Sequence, residues 1–182
     1  TTEIYTLSLH DALPILSRIF KEYGEENAAG RIARAVDKAR IEKQITTTAQ
    51  LSKIIESVVG IGSKESLKTK VRVFQALRIY VNDELGALQI ALDDAINMLA
   101  PEGRIVVMSY HSLEDRIVKN TFRLATKNCI CHPSIINCVC NHRASLRIIS
   151  TRPQLATEEE LGKNIRARSA KLRAAIKIKG EK

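Results

Sequence analysis

The stretch Pro101–Arg116, P-E-G-R-I-V-V-M-S-Y-H-S-L-E-D-R, limits what this chain can fold into more than any other part of it. Pro101 and Gly103 punctuate a turn, and Ile105, Val106, Val107 and Met108 follow as an unbroken apolar run. Such a run suits a strand covered on both faces. Ser109-Tyr110-His111 then leads into Ser112-Leu113-Glu114-Asp115, a capping-box pattern with Ser112 as the cap and two acids in the first helical turn. The segment predicts a buried strand whose carboxyl end hands a polar cluster to a helix N-terminus. In open α/β sheets that crevice is where ligands bind, so Ser109, Tyr110, His111, Ser112, Glu114 and Asp115 are the candidate pocket residues. A hydrolase with a serine nucleophile and His111 as base is disfavoured, because chain neighbours rarely face each other as a triad requires and no G-x-S-x-G elbow is present.

Upstream the pattern is helical. Leu16, Ile19, Phe20 and Tyr23 share one face and Gly24 supplies a stop, while Pro14 should interrupt any helix running in from residues 1–15. A second helix would carry Glu25 and Glu26 in its first turn, Ile32 and Val36 on its apolar face, and Arg34, Lys38 and Arg40 toward its end. Thr47-Thr48-Ala49-Gln50 is another capping box, opening a helix with Leu51, Ile54, Ile55 and Val58 on one side. Gly60-Ile61-Gly62 follows a helical pattern and reads as a connector, not a nucleotide-binding loop. Phe74, Leu77, Val81, Leu85, Leu88, Leu92, Ala95, Ile96 and Leu99 then predict one long helix, or two with a bend near Asn82 or Gly86. Beside that stripe run Arg72, Gln75, Arg78 and Asn82, suited either to a solvated face or to RNA contacts.

Downstream of the opening segment, Leu113, Ile117, Val118 and Phe122 mark a helix to about Lys127, and Leu146, Ile148 and Ile149 a short strand. Thr157 with three glutamates starts a short helix. At the end Leu172, Ala174, Ile176 and Ile178 alternate with Lys171, Arg173, Lys177 and Lys179, as in a half-buried strand with its apolar set inward.

Charge and cysteine usage narrow the function. A net charge of +9 points to a polyanionic partner, nucleic acid first. Lys163, Arg166, Arg168, Lys171 and Arg173 are candidate phosphate contacts, with a charged edge strand as the alternative. No apolar run approaches the ~18 residues of a membrane span, and the chain reads as cytosolic. All four cysteines, Cys129, Cys131, Cys138 and Cys140, form C-x-C-x6-C-x-C. They suit either a tetrahedral structural Zn²⁺, with His132 and His142 as substitute ligands, or free thiols.

Three blocks carry a family resemblance: V-F-Q-A-L-R-I-Y-V-N-D-E-L (Val73–Leu85), L-A-P-E-G-R-I-V-V-M-S-Y-H-S-L-E-D-R-I-V-K (Leu99–Lys119) and N-I-R-A-R-S-A-K-L-R (Asn164–Arg173). Together with Tyr23–Ala35 and Ile45–Leu51, in order, they resemble the bacterial 16S ribosomal RNA cytosine-N4 methyltransferases, the RsmH/MraW family. The C-x-C pairs resemble a variant found in part of it. The resemblance runs from Leu16 to the C-terminus. It implies an α/β fold: part of a class I, Rossmann-like methyltransferase sheet, with a helical substrate-recognition domain inserted. Residues 16–66 would belong to the insertion and 67–182 to the C-terminal part of the methyltransferase domain, with a cysteine-rich loop at 128–142. The strand Arg104–Ser109 and the two later strands would be the last three of seven.

The activity implied is S-adenosyl-L-methionine-dependent methylation of a cytosine N4 amine in the decoding region of small-subunit rRNA. The polar turn would help line the pocket, while Arg72, Gln75, Arg78 and Asn82 would hold RNA or pack the insertion. The family's donor-binding motifs, a Gly-rich loop, an acidic residue for the ribose and a D-L-G-V-S-S segment, lie in its N-terminal part and are not found in this sequence. The chain is therefore expected to be a fragment, inactive alone. Residues 1–15 resemble translated sequencing-adapter read-through and are expected to be non-native. The competing reading is a basic RNA-binding module with a zinc knuckle and no catalysis.

Overall fold

The computed structural model describes residues 9–132 and 137–179, with side chains from Leu13 onward; most of the segment expected to be non-native, residues 1–8, lies outside them. The chain divides into two compact units between Glu84 and Leu85. A boundary at residue 66 would fall inside a helix.

The first unit is helical: α1 (Leu9–Glu22), α2 (Ala29–Glu42), α3 (Thr48–Val59) and α4 (Lys64–Asn82). Its core gathers Ile19, Phe20, Ile32, Ala33, Ile55, Val73 and Ala76. The capping box before α3 forms as read: Gln50 N–H donates to Thr47 Oγ1 at 3.2 Å, and Thr47 N–H to Gln50 Oε1 at 3.0 Å.

Three expectations change. The helix α1 runs through Pro14; one missing backbone bond near a helix start is tolerable when Leu13, Ile15 and Leu16 pack on the core. Glu25 and Glu26 precede α2 instead of opening it. Glu26 is buried, accepting from Ala28 N–H at 2.9 Å, with Arg72 Nη1 3.3 Å from its other oxygen. In α4 the buried face is Val73, Ala76 and Ile79, one position off the bulky stripe, and Val81 is exposed. Close approach decides this: a Cβ on Gly24 would stand 2.9 Å from Arg72 O and 3.3 Å from Ala76 Cβ, so a small residue must face it. The break after α4 falls at Asp83, in the left-handed conformation, beside Asn82 where a bend was expected.

The second unit holds α5 (Glu84–Met98, counted from Leu85), β1 (Arg104–Ser109), α6 (Ser112–Ala125), β2 (Leu146–Ile148), β3 (Gln154–Leu155), α7 (Glu158–Lys163), a 3-10 turn (Ile165–Ser169) and β4 (Lys171–Lys177). The fold is mixed α/β. Strand β4 is the hub of the sheet, pairing antiparallel with β1, β2 and β3. Strands β1 and β2 are therefore parallel to each other, with α6 in the connection between them.

Leu92 and Ile96 of α5 and Val118 and Phe122 of α6 join Ile105, Leu146 and Ala175 of the sheet in one core. Both helices thus serve the same sheet face. On the other face Val106 is 58% and Met108 53% exposed, opposite Ala174 and Leu172. Hence β1 is not covered on both faces, as its apolar run suggested. The faces of β4 are likewise inverted: Arg173 and Ala175 are buried, while Leu172, Ala174 and Ile176 are only half-buried.

The inversion has a physical cause. Arg173 Nε donates to Asp115 Oδ1 at 2.6 Å and Nη2 to Oδ2 at 3.2 Å, both residues being 8% exposed, and Nη1 reaches Thr151 O at 3.2 Å. Planar bidentate pairing lets a guanidinium occupy the helix-facing side of a strand. The Arg173 hydrogen bond, helped by its charge and that of Lys171, outweighs burial and lowers the Asp115 pKa.

Removing one partner strands the other charge, so Asp115→Ala should destabilise the second unit by about 3–5 kcal/mol, and Asp115→Leu with Arg173→Met should recover most of that. Because the folded-state pKa lies below the unfolded one, the pair's contribution is present above about pH 4 and is lost as pH falls through the folded value. Denaturant unfolding against pH checks this: the double variant should show a flatter acid limb, and an unchanged one would contradict the assignment.

Candidate functional site

The polar turn after β1 is built by its own backbone. His111 is extended and caps α6: Glu114 N–H donates to its Nδ1 at 3.3 Å. Ser112, expected as the cap, is the first helical residue instead, because His111 already adopts the capping conformation. Glu114 closes the box, accepting from Tyr110 N–H at 2.8 Å and His111 N–H at 3.3 Å. With Nδ1 accepting, the neutral ring carries its proton on Nε2. That atom is buried 3.2 Å from Glu114 Oε1 but not aligned for a hydrogen bond.

The six candidates therefore divide. Ser109 is 2% exposed; its alternation with Ile105 puts it on the helix side, where Asp115 is bound to Arg173. His111 and Glu114 are occupied with each other. Ser112 and Tyr110 are both exposed; Tyr110, at 56%, lies beside a recess of about 220 Å³ on the open sheet face. Met108 and Leu172 line that recess from the sheet, Gln154 from β3, and Asn164 and Arg166 from the 3-10 segment. An aromatic plane, an apolar floor, amides, a cation and the Glu160 carboxylate thus converge at the carboxyl end of β1.

The basic candidates also divide. Arg166 and Arg168 are exposed. Lys163 lies 2.5 Å from Glu159, and Lys171 is 3.5 Å from Asp115. Arg173 is spent on Asp115. In the first unit Arg72 is held between Glu26 and Glu65, and Arg78 grips Glu84 with Nε and Nη2 at 2.8 and 3.1 Å. Asn82 Nδ2 reaches the same Glu84 at 3.4 Å. Gln75 lies on α4 beside Phe74 and Arg78, at the edge of a shallow hollow.

The four cysteines come together. Their sulfurs all lie within 4.8 Å of one another, an arrangement able to hold a metal ion. Backbone N–H groups of Ile130 and His142 donate to Cys140 Sγ and lower its pKa to about 6. The Cys131 N–H acts the same way on Cys129, but the Cys138 and Cys131 thiols, burial and Cys140 outweigh it and push that group up to about 12.

Comparison with known proteins then decides the family. A family model described as the MraW methylase family matches residues 10–178. The chain belongs to the MraW methylase family. Its relatives include the ribosomal RNA small subunit methyltransferase H of Geobacter sulfurreducens, 50% identical over 164 residues that make up 90% of this chain and 53% of that protein. The proteins of the same name from Carboxydothermus hydrogenoformans and Heliobacterium modesticaldum are 48% and 46% identical, again over 90% of this chain and 52% and 53% of theirs. This MraW-family chain spans about half the length of the curated relatives it matches.

Residues missed in the sequence are those made important by pairing across the sheet. Asn164, Gln154 and Met108 join the recess only because β3 and the 3-10 segment fold back on β4, and a two-residue strand leaves no periodic signal. The His111 cap was also hidden, since serine is the stronger capping residue by propensity. His111→Ala should cost about 0.5–2 kcal/mol, and His111→Asn, which can still accept from Glu114 N–H, should recover it. Equal losses in both variants, measured by denaturant unfolding, would contradict the capping role.

Proposed function

We propose that this chain is the C-terminal part of an S-adenosylmethionine-dependent methyltransferase acting on the N4 amine of a cytosine in the decoding region of small-subunit rRNA. Strands β1, β2 and β4 would be the last three of a seven-stranded, Rossmann-like sheet, and the helical unit an inserted substrate-recognition domain. The observation that carries the reading is the recess at the end of β1, inside a chain of this family.

The described residues fit the substrate better than the methyl donor. Among them, the positive-φ glycines are Gly60 and Gly62, which follow α3 and face open space, not a strand end. A glycine cradle of the kind that binds a nucleotide-like cofactor is not formed by them. We therefore place the donor site in the part of the full-length protein that this chain does not span, and expect the chain alone to be inactive.

An exocyclic N4 amine is a weak nucleophile, because its lone pair is delocalised into the ring. Accelerating its reaction rests on positioning and electrostatics, and the base must first leave its stack. Tyr110 offers a plane for an unstacked base and Arg166 a cation for its phosphate. Arg168, Lys171 and the α4 residues Arg72, Gln75, Arg78 and Asn82 are the further RNA-binding groups proposed. The two α4 arginines and Lys171 would exchange carboxylate partners for phosphates on binding, which lowers what each contributes; Arg173, buried on Asp115, would act by holding β4.

This reading predicts that Arg166→Ala with Arg168→Ala weakens binding of a decoding-region RNA hairpin, the salt-dependence slope falling by about 1 for each phosphate no longer neutralised. Fluorescence anisotropy across a salt series measures both quantities. Unchanged affinity and slope would remove these residues from the interface.

A further inference from the structure

The segment between α6 and β2, residues 126–145, exceeds the ~12–15 residues beyond which a loop in a compact domain calls for its own explanation. Its base is fastened. Ser145 N–H donates to Ala125 O at 2.8 Å, Ala144 N–H to Asn128 Oδ1 at 3.3 Å, and His142 Nε2 lies 3.1 Å from Leu124 O. Among its described residues, the apolar Ile130 is 46% and Val139 71% exposed. What converges there is sulfur.

The separations are informative. Cys129–Cys138 is 3.4 Å, Cys138–Cys140 3.5 Å, Cys129–Cys140 3.8 Å and Cys131–Cys138 3.9 Å. These far exceed the ~2.0 Å of a disulfide. A tetrahedral thiolate site with Zn–S bonds of about 2.3 Å requires sulfurs about 3.8 Å apart. Four sulfurs near that spacing describe a coordination shell. Backbone N–H groups of Ile130, Cys131 and His142 point at Cys140 and Cys129 sulfurs, as suits sulfurs carrying negative charge. With the intervening residue of each C-x-C pair turned away, one ion can take two ligands from each arm of the loop. His142, engaged at Leu124, is not needed as a substitute.

We infer that Cys129, Cys131, Cys138 and Cys140 form a structural site for one tetrahedral, thiophilic divalent cation, Zn²⁺ by the chemistry of the donor set. On binding, each cysteine still protonated loses its thiol proton to solvent, and all four ligand positions are filled by protein, so the ion has no open position for catalysis. The site also sits at the wrong end of α6 for catalysis: that 14-residue helix separates it from the polar turn by roughly 21 Å. Its work is to cross-link the loop that leads α6 into β2. This inference does not depend on the methyltransferase reading.

Titrating the metal-free, reduced chain with Co²⁺ tests it. A one-to-one endpoint with strong sulfur-to-cobalt charge-transfer bands and tetrahedral visible bands, displaced by Zn²⁺, is expected. Cys129→Ser with Cys138→Ser should abolish those bands while far-UV circular dichroism is retained, because the loop is exposed and the two cores are untouched. Limited proteolysis gives a second readout, cleavage within 126–145 rising several-fold when the metal is removed. Absent charge-transfer bands, bands surviving in the double variant, or thiols equally reactive with and without Zn²⁺ would each overturn the site.

Discussion

The buried pair between Asp115 and Arg173 is the constraint on which the second unit depends. One partner comes from the first turn of α6 and the other from the middle of the hub strand, 58 residues apart in sequence. Their bidentate pairing sets which face of β4 meets the helices, hence which face is left open. It also fixes the direction of α6 out of β1, and so where Tyr110 points. Replacing the pair with apolar residues could preserve stability; what the pair does is join the first turn of α6 to the helix-facing side of β4.

The helical half was readable because amphipathic periodicity and capping chemistry are local. Thr47 with Gln50, Gly24 as a stop, and the break near Asn82 are decided within a few residues of chain. The strand half was readable as elements but not as faces. Ile105–Met108 carries no alternation that could reveal its open side, and the cleaner alternation of 171–179 pointed the wrong way, because no local rule anticipates an arginine paired with a distant aspartate. The polar turn was located correctly, yet its inner division, with His111 and Glu114 spent on each other and Tyr110 facing out, needed the backbone path. The cysteine spacing left zinc and free thiols equally open; folded sulfur positions weigh them differently.

The two ends of α6 thus carry separate chemistries. Its N-terminus holds the rigid turn that presents Tyr110 to the recess, and its C-terminus enters the loop that gathers four sulfurs. Both are tied to β4 through the elements flanking it, so the sheet is a common frame for the recess and for the proposed metal cross-link. The open apolar face of Val106, Met108, Leu172 and Ala174 runs from the recess along the sheet.

The central claim is that this chain carries the substrate-facing part of a methyltransferase site and not the donor-binding part. Calorimetric titration of S-adenosylmethionine into this chain, beside a full-length family protein containing the same residues, tests it most directly. The account predicts saturable binding by the full-length protein and no binding heat from the chain alone. Micromolar binding by the chain alone would contradict it.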